Sequence, residues 1–193
     1  MQHSSDRTLF LDRDGVLNQR PGRGYVTHPD DFIWIEGSLE AVTKLSAHFK
    51  RIVVVTNQQG IAKGLMTVAQ LDDIHVRMLQ DVKKAGGRID KVYYADGMRH
   101  IASYMRKPGK GMFLQAKDDF PDIEATKSIM VGDTFTDMLF GHRLDMQTVF
   151  IAPKRVIARN YHHIIDYQFN NLLQFANFIN TEHPKRCTTT SSI

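Results

Sequence analysis

Residues Ile52-Val53-Val54-Val55 form an unbroken β-branched run. A strand with one wet face alternates apolar and polar side chains. One that is apolar on both faces belongs inside a parallel sheet covered by helices on each side. The flanking segments fit that frame. Leu39, Val42, Leu45 and Phe49 recur at helical spacing and predict a helix over 39–50. Thr67 with Gln70 reads as a capping box that opens a helix through Ile74, Met78 and Val82, ending before Gly86-Gly87. Further strands are predicted at 8–11, 89–94, 128–131, 148–151 and 164–169. Further helices are predicted at 112–120, 136–144 and 172–179. Alternating strands and helices specify an α/β fold with a doubly wound parallel sheet. One domain is expected over 1–183, with a polar, disordered tail at 184–193.

Composition narrows the function classes. The single cysteine, Cys187, excludes a disulfide and a cysteine-rich zinc site. The polar residues 1–7 lack the apolar stretch of a signal peptide, and no apolar run reaches membrane-spanning length. A cytoplasmic protein without membrane attachment is expected. The net charge of +4 suits an anionic ligand, and equally suits general solubility.

In doubly wound sheets ligands bind beyond the carboxyl ends of the strands, at the switch point. The chemistry-bearing residues fall there. Asp12 and Asp14 follow the first strand, Thr56 and Asn57 the second, and Asp133 and Asp137 the fourth. Two acids two positions apart on a glycine turn can divide nucleophilic attack and proton transfer, and can share a metal ion. Such a pair also occurs as a solvated Asp–Gly turn, and sugar-nucleotide transferases use Asp-x-Asp to hold a metal. Thr56-Asn57-Gln58-Gln59-Gly60 offers a hydroxyl and backbone N–H groups to phosphate oxygens, or is simply a turn. Lys107, in Arg106-Lys107-Pro108, can offset charge on a transferring group. Asp133 can complete an oxygen-rich magnesium shell with Asp12. Asp137 can position Lys107 or a metal-bound water, or merely complement a helix dipole.

The order Asp-x-Asp, Thr, Lys, Gly-Asp-x-x-x-Asp resembles the haloacid dehalogenase superfamily of phosphatases over about residues 8–152. The resemblance implies Asp12 as nucleophile, Asp14 as general acid/base, Thr56 as phosphate-binding hydroxyl and Lys107 as the charge-neutralising lysine. It implies magnesium bound by Asp12, the main-chain carbonyl of Asp14, and Asp133, with Asp137 in support. Asp12-Arg13-Asp14-Gly15, Gly24-Tyr25-Val26, Thr56-Asn57-Gln58 with Gly60 to Gly64, and Arg106-Lys107-Pro108 look more closely like the D-glycero-D-manno-heptose 1,7-bisphosphate 7-phosphatase and histidinol-phosphate phosphatase family. That likeness implies a small sugar bisphosphate, a lipopolysaccharide precursor, as substrate. It implies substrate contacts from Arg13, Gly24, Tyr25, Val26, Asn57, Gln58, Gln59 and Arg106. Histidinol phosphate, a nucleic-acid 3′-phosphate (echoed by Tyr104-Met105-Arg106-Lys107-Pro108) and an inactive binding module are the alternatives.

The heptose family usually carries a structural zinc loop. Here Ala95, Gly97, Ser103 and Met105 stand at the ligand positions, so no structural zinc is expected. Packing through Tyr94, Met98, Ile101 and Tyr104 is expected to order the loop instead. The stretches after Asp14 and Tyr94 are too short for a large cap domain, so loops must form the lid. Arg20, Arg23, Lys63, Arg99 and Lys110 lie on segments that can ring its opening, and several of them are expected to meet a second phosphate. A monomer is expected, with nucleic acid disfavoured as a partner.

Overall fold

The computed structural model describes residues 6–22, 24–99, 103–152 and 162–182. Six parallel strands form one sheet: β1 (Thr8–Leu11), β2 (Arg51–Asn57), β3 (Lys91–Ala95), β4 (Ile129–Gly132), β5 (Gln147–Ile151) and β6 (Tyr167–Phe169), in the order β3-β2-β1-β4-β5-β6. Five α-helices cover it: α1 (Ser38–Leu45), α2 (Val68–Lys84), α3 (Gly111–Asp119), α4 (Phe135–His142) and α5 (Leu172–Glu182).

Alternation along the strands divides the core. Leu9, Leu11, Ile52, Val54, Ile129 and Val131 point to the layer that holds α1, α2 and α5. Phe10, Val53, Val55 and Met130 point to the opposite layer with α3 and the Phe140 side of α4. The Ile52–Val55 run is fully buried, as expected of an interior strand with helices on both faces. Each such side chain contributes about 1.5–3 kcal/mol by leaving water.

Strand order reverses at β1, which pairs with β2 on one side and β4 on the other. The crevice of a doubly wound sheet therefore opens above the ends of β1 and β4. Among the described residues, the segments 15–37 and 96–110 hold no α-helix or sheet strand, only the short 3-10 turn Pro29–Asp31 and isolated bridges joining Asp14, Asn18 and Trp34. The opening is thus framed by loops and carries no large cap domain.

Several element boundaries shift from expectation, and two of the shifts have a visible cause. Helix α1 ends at Leu45, where the Ser46 hydroxyl bonds back to the Val42 carbonyl and the chain tightens into i−3 bonds; Phe49 still reaches the core from the turn that follows. The last strand begins only at Tyr167, because Asp166 is spent on Thr148: its carboxylate accepts from the Thr148 N–H and hydroxyl, at 2.7 and 3.0 Å. Among the described residues no helix is long and apolar enough to cross a membrane. The tail 184–193, with Cys187, lies outside the described residues, as do Arg23 and Ile101.

Candidate active site

Asp12 continues β1 by one residue, its N–H donating to the Val131 carbonyl of β4 at 2.9 Å. That bond carries its carboxylate into the crevice while keeping it buried. Oδ1 accepts the Arg13 N–H at 2.8 Å and lies 2.9 Å from the Lys107 ammonium. Burial, and then the neighbouring charge of Asp137, push the Asp12 carboxyl up to about 7 despite Lys107.

Lys107 is buried and held from three sides. Nζ donates to the Val55 carbonyl at 2.6 Å and ion-pairs with Asp12 Oδ1 (2.9 Å) and Asp137 Oδ1 (2.6 Å). Burial alone would lower its pKa; the two carboxylates reverse that and hold it raised. The Asn57 side chain fixes its backbone, accepting the Lys107 N–H at 3.0 Å and donating to the Lys107 carbonyl at 3.2 Å.

Asp137 serves two purposes. It is the third residue of α4 and accepts the Thr134 N–H (3.0 Å) and hydroxyl (2.5 Å) on Oδ2, closing a capping box, while Oδ1 faces Lys107. Helix capping and charge placement are therefore one arrangement. Gly132 makes room for it: a Cβ there would lie 2.2 Å from that of Asp137.

Asp133 meets Arg20, whose Nε and Nη2 donate to Oδ2 and Oδ1 at 2.9 and 2.7 Å. Burial raises the Asp133 pKa, and Arg20 opposes the rise. Gly15 lies beneath this pair at φ +94°, and a Cβ on it would lie 2.0 Å from Asp133 Oδ2. Carboxylate oxygens of Asp12, Asp133 and Asp137 lie within 4.8 Å of one another, the one such acid group among the described residues. A hard, all-oxygen donor set of this kind suits Mg²⁺. All three carboxylates already meet cations of the chain, Asp12 and Asp137 through Lys107 and Asp133 through Arg20.

Asp14 is held by four contacts. Asn18 Nδ2 donates to Oδ1 at 2.9 Å, Gln58 Nε2 to Oδ2 at 2.7 Å, and Arg13 Nη2 lies 3.0 Å from each oxygen. Burial would raise its pKa; the Arg13 charge and these donors bring it below the usual carboxylate range. Gln58 Nε2 also donates to the Thr56 hydroxyl at 2.9 Å, linking β2 to the acid.

The sequence-predicted contact residues divide into two groups. Gly24, Tyr25, Val26, Gln59 and Arg106 line a cleft of about 660 Å³ together with Asp12, Asp14, Thr56 and Lys107. Arg13, Asn57 and Gln58 also line it, with side chains held to the catalytic loop, the Lys107 backbone and the Asp14–Thr56 pair. The Arg13 side chain is 1% exposed and turned to Asp14 and away from solvent, because an ionised carboxylate beside it is the stronger attraction. Of the predicted ring of cations, Arg99 and Arg20 line the cleft. Lys63 stacks 5.4 Å over the Tyr25 ring, and Lys110 precedes α3.

Hydrogen bonds tie down the loop after β3. Arg106 Nη1 donates to the Gly97 carbonyl at 3.2 Å, the Arg106 N–H to Ser103 Oγ at 3.3 Å, and the Arg99 N–H to Gln59 Oε1 at 3.2 Å. Gln59 also donates to the Tyr25 hydroxyl at 2.9 Å, so it joins both lips of the cleft. Tyr104 is 63% exposed and does not pack as expected. Sequence reasoning missed Arg143, Phe135 and Thr136 in the lining. A basic residue just past a helix reads as dipole compensation, which hides Arg143.

A profile of the polynucleotide kinase 3 phosphatase family matches residues 7–178. The chain is 34% identical over 168 residues to a D-glycero-alpha-D-manno-heptose-1,7-bisphosphate 7-phosphatase of Mycobacterium tuberculosis, covering 87% of this chain and 88% of the relative. It is 38% identical over 161 residues to a D-glycero-beta-D-manno-heptose-1,7-bisphosphate 7-phosphatase of Pasteurella multocida, covering 80% and 86%. A crystal structure of a D,D-heptose 1,7-bisphosphate phosphatase from B. bronchiseptica, complexed with magnesium and phosphate, superposes with a TM-score of 0.82 at 26% identity, covering 92% and 99%.

Proposed function

The chain belongs to the polynucleotide kinase 3 phosphatase family of haloacid dehalogenase-type phosphatases, and from that premise we propose that it removes the 7-phosphate of a D-glycero-D-manno-heptose 1,7-bisphosphate. The observation that carries the reading is the buried Asp12–Lys107–Asp137 array beside Asp133, opening into a cleft edged by Arg99, Arg106 and Arg143. One end of such a cleft can carry out phosphoryl transfer while the other holds a second anionic group.

In this mechanism Asp12 Oδ attacks phosphorus in line, forming an aspartyl-phosphate and releasing the sugar oxygen. Lys107 and Thr56 neutralise the equatorial oxygens. Asp12, Asp133 and the Asp14 carbonyl would hold Mg²⁺, which would supply further charge neutralisation. Asp14 carries the proton, first to the leaving oxygen and then from the water that hydrolyses the acyl-phosphate. The donors on its carboxylate hold the base form that the second step needs. In the first step the same donors, by stabilising the carboxylate left behind, make the protonated form a stronger acid toward the leaving oxygen. Asn57 holds the Lys107 backbone, and Gln59 joins the cleft lips. The protein is proposed to act in the cytoplasm as a monomer.

A panel measuring Mg²⁺-dependent phosphate release tests the proposal. It comprises both anomers of the heptose bisphosphate, histidinol phosphate, fructose 1,6-bisphosphate and a 3′-phosphorylated oligonucleotide. The highest kcat/KM on a heptose bisphosphate is expected. Preference for the oligonucleotide, falling steeply with salt, would overturn the substrate assignment.

A further inference from the structure

Helix α2 carries Leu71, Ile74, His75, Met78 and Val82 on its buried face, at the three- and four-residue spacing of one helical stripe. Four of these side chains are apolar. The fifth, His75, is buried with a polar atom aimed at the catalytic loop: Nε2 lies 3.2 Å from Arg13 Nη1. A guanidinium has only donors, so His75 Nε2 accepts, and the ring is neutral with its proton on Nδ1. Burial, and then the Arg13 charge, push the His75 pKa down to about 3, which agrees with that tautomer.

Arg13 has few other anchors. Its side chain is 1% exposed, Nη2 is committed to Asp14, and Nε has no partner among the described residues. Two contacts therefore fix the guanidinium: Asp14 on one side and His75 on the other. We propose that His75 is a positioning residue for phosphoryl transfer, acting through Arg13 to fix the carboxylate of Asp14. The inference rests on the assignment of Asp14 as the proton carrier. It adds a helix-borne group, outside the cleft lining, that governs how that carrier is held.

Steady-state kinetics on 4-nitrophenyl phosphate at saturating Mg²⁺ test it. The nitrophenolate leaves without protonation, so turnover reports the base role of Asp14. D14N serves as the reference: if it keeps wild-type turnover, the assignment of Asp14 itself is wrong. With D14N impaired, H75L, which fills the ring's volume but accepts no hydrogen bond, is expected to lower kcat at least about tenfold with KM changed less than about threefold. H75Q, which returns an acceptor oxygen, is expected to recover kcat to within about threefold of wild type. In an R13M background the H75L change is expected to alter kcat less than about twofold, because its route to Asp14 is already cut. If H75L does not fold, H75A carries the same expectation. Equal losses in H75L and H75Q, an unchanged kcat in H75L, or an undiminished H75L effect in R13M would each overturn the proposal.

Discussion

Arg20 spans the carboxylate of Asp133, with Nε 2.9 Å from Oδ2 and Nη2 2.7 Å from Oδ1, and the same Nη2 lies 3.9 Å from Asp12 Oδ2. A guanidinium of the chain itself thus balances the two acids proposed to hold magnesium. An ion drawing on Asp133 competes with it. R20A is therefore expected to bind Mg²⁺ about three- to tenfold more tightly, up to about 1.4 kcal/mol, in calorimetry without substrate. An equal or weaker affinity would show that Arg20 supports the ion and does not compete with it.

Asp12 is proposed to supply the oxygen for the covalent step. D12N is expected to lose at least about a thousandfold in turnover and to yield no acid-trapped phosphoenzyme. Near-normal turnover would exclude attack by Asp12.

Gly132 lies against Asp137 with no space between. G132A is expected to cost about 1–3 kcal/mol in chemical denaturation, as overpacking does, and to lower kcat by moving Asp137 off Lys107. Wild-type stability and rate together would mean that Asp137 can shift without consequence.

Arg106 reaches the cleft while tying Gly97. R106E is expected to raise KM for the heptose bisphosphate about tenfold or more while leaving KM for 4-nitrophenyl phosphate within about threefold. A parallel rise for both substrates would point to a loosened loop and not to a lost anion contact.

His75 links stability to pH. Its pKa is about 3 folded against the ordinary 6.5, so between these values the unfolded chain binds the extra proton. Stability is then lost as pH falls from 6.5 toward 3, by on the order of a few kcal/mol. H75Q, which does not titrate, is expected to flatten that part of the curve in urea titrations at stepped pH. An unaltered acid limb would assign the loss to other groups.

Much of this arrangement is legible in the sequence because backbone periodicity and strand-end position suffice to find it. The all-apolar 52–55 run marked an interior strand, and the acids at 12, 14, 133 and 137 fell at strand ends that the sheet order brings together. Side-chain direction was not legible. Arg13 reads as a cation beside two acids, yet only the packed structure shows it turned inward to Asp14 and His75. His75 lay within an apolar stripe whose spacing carries no chemical label, and Arg20 as readily reads as a substrate contact as a partner for Asp133.

The two-way clasp of Asn57 on the backbone of Lys107 has a wider consequence. It anchors the buried ammonium to the second strand and not to the lip that precedes it in the chain. Substitutions in that lip that leave Asn57 in place are then expected to move the ammonium little. Selectivity can drift in such a scaffold without retuning the chemistry beneath it.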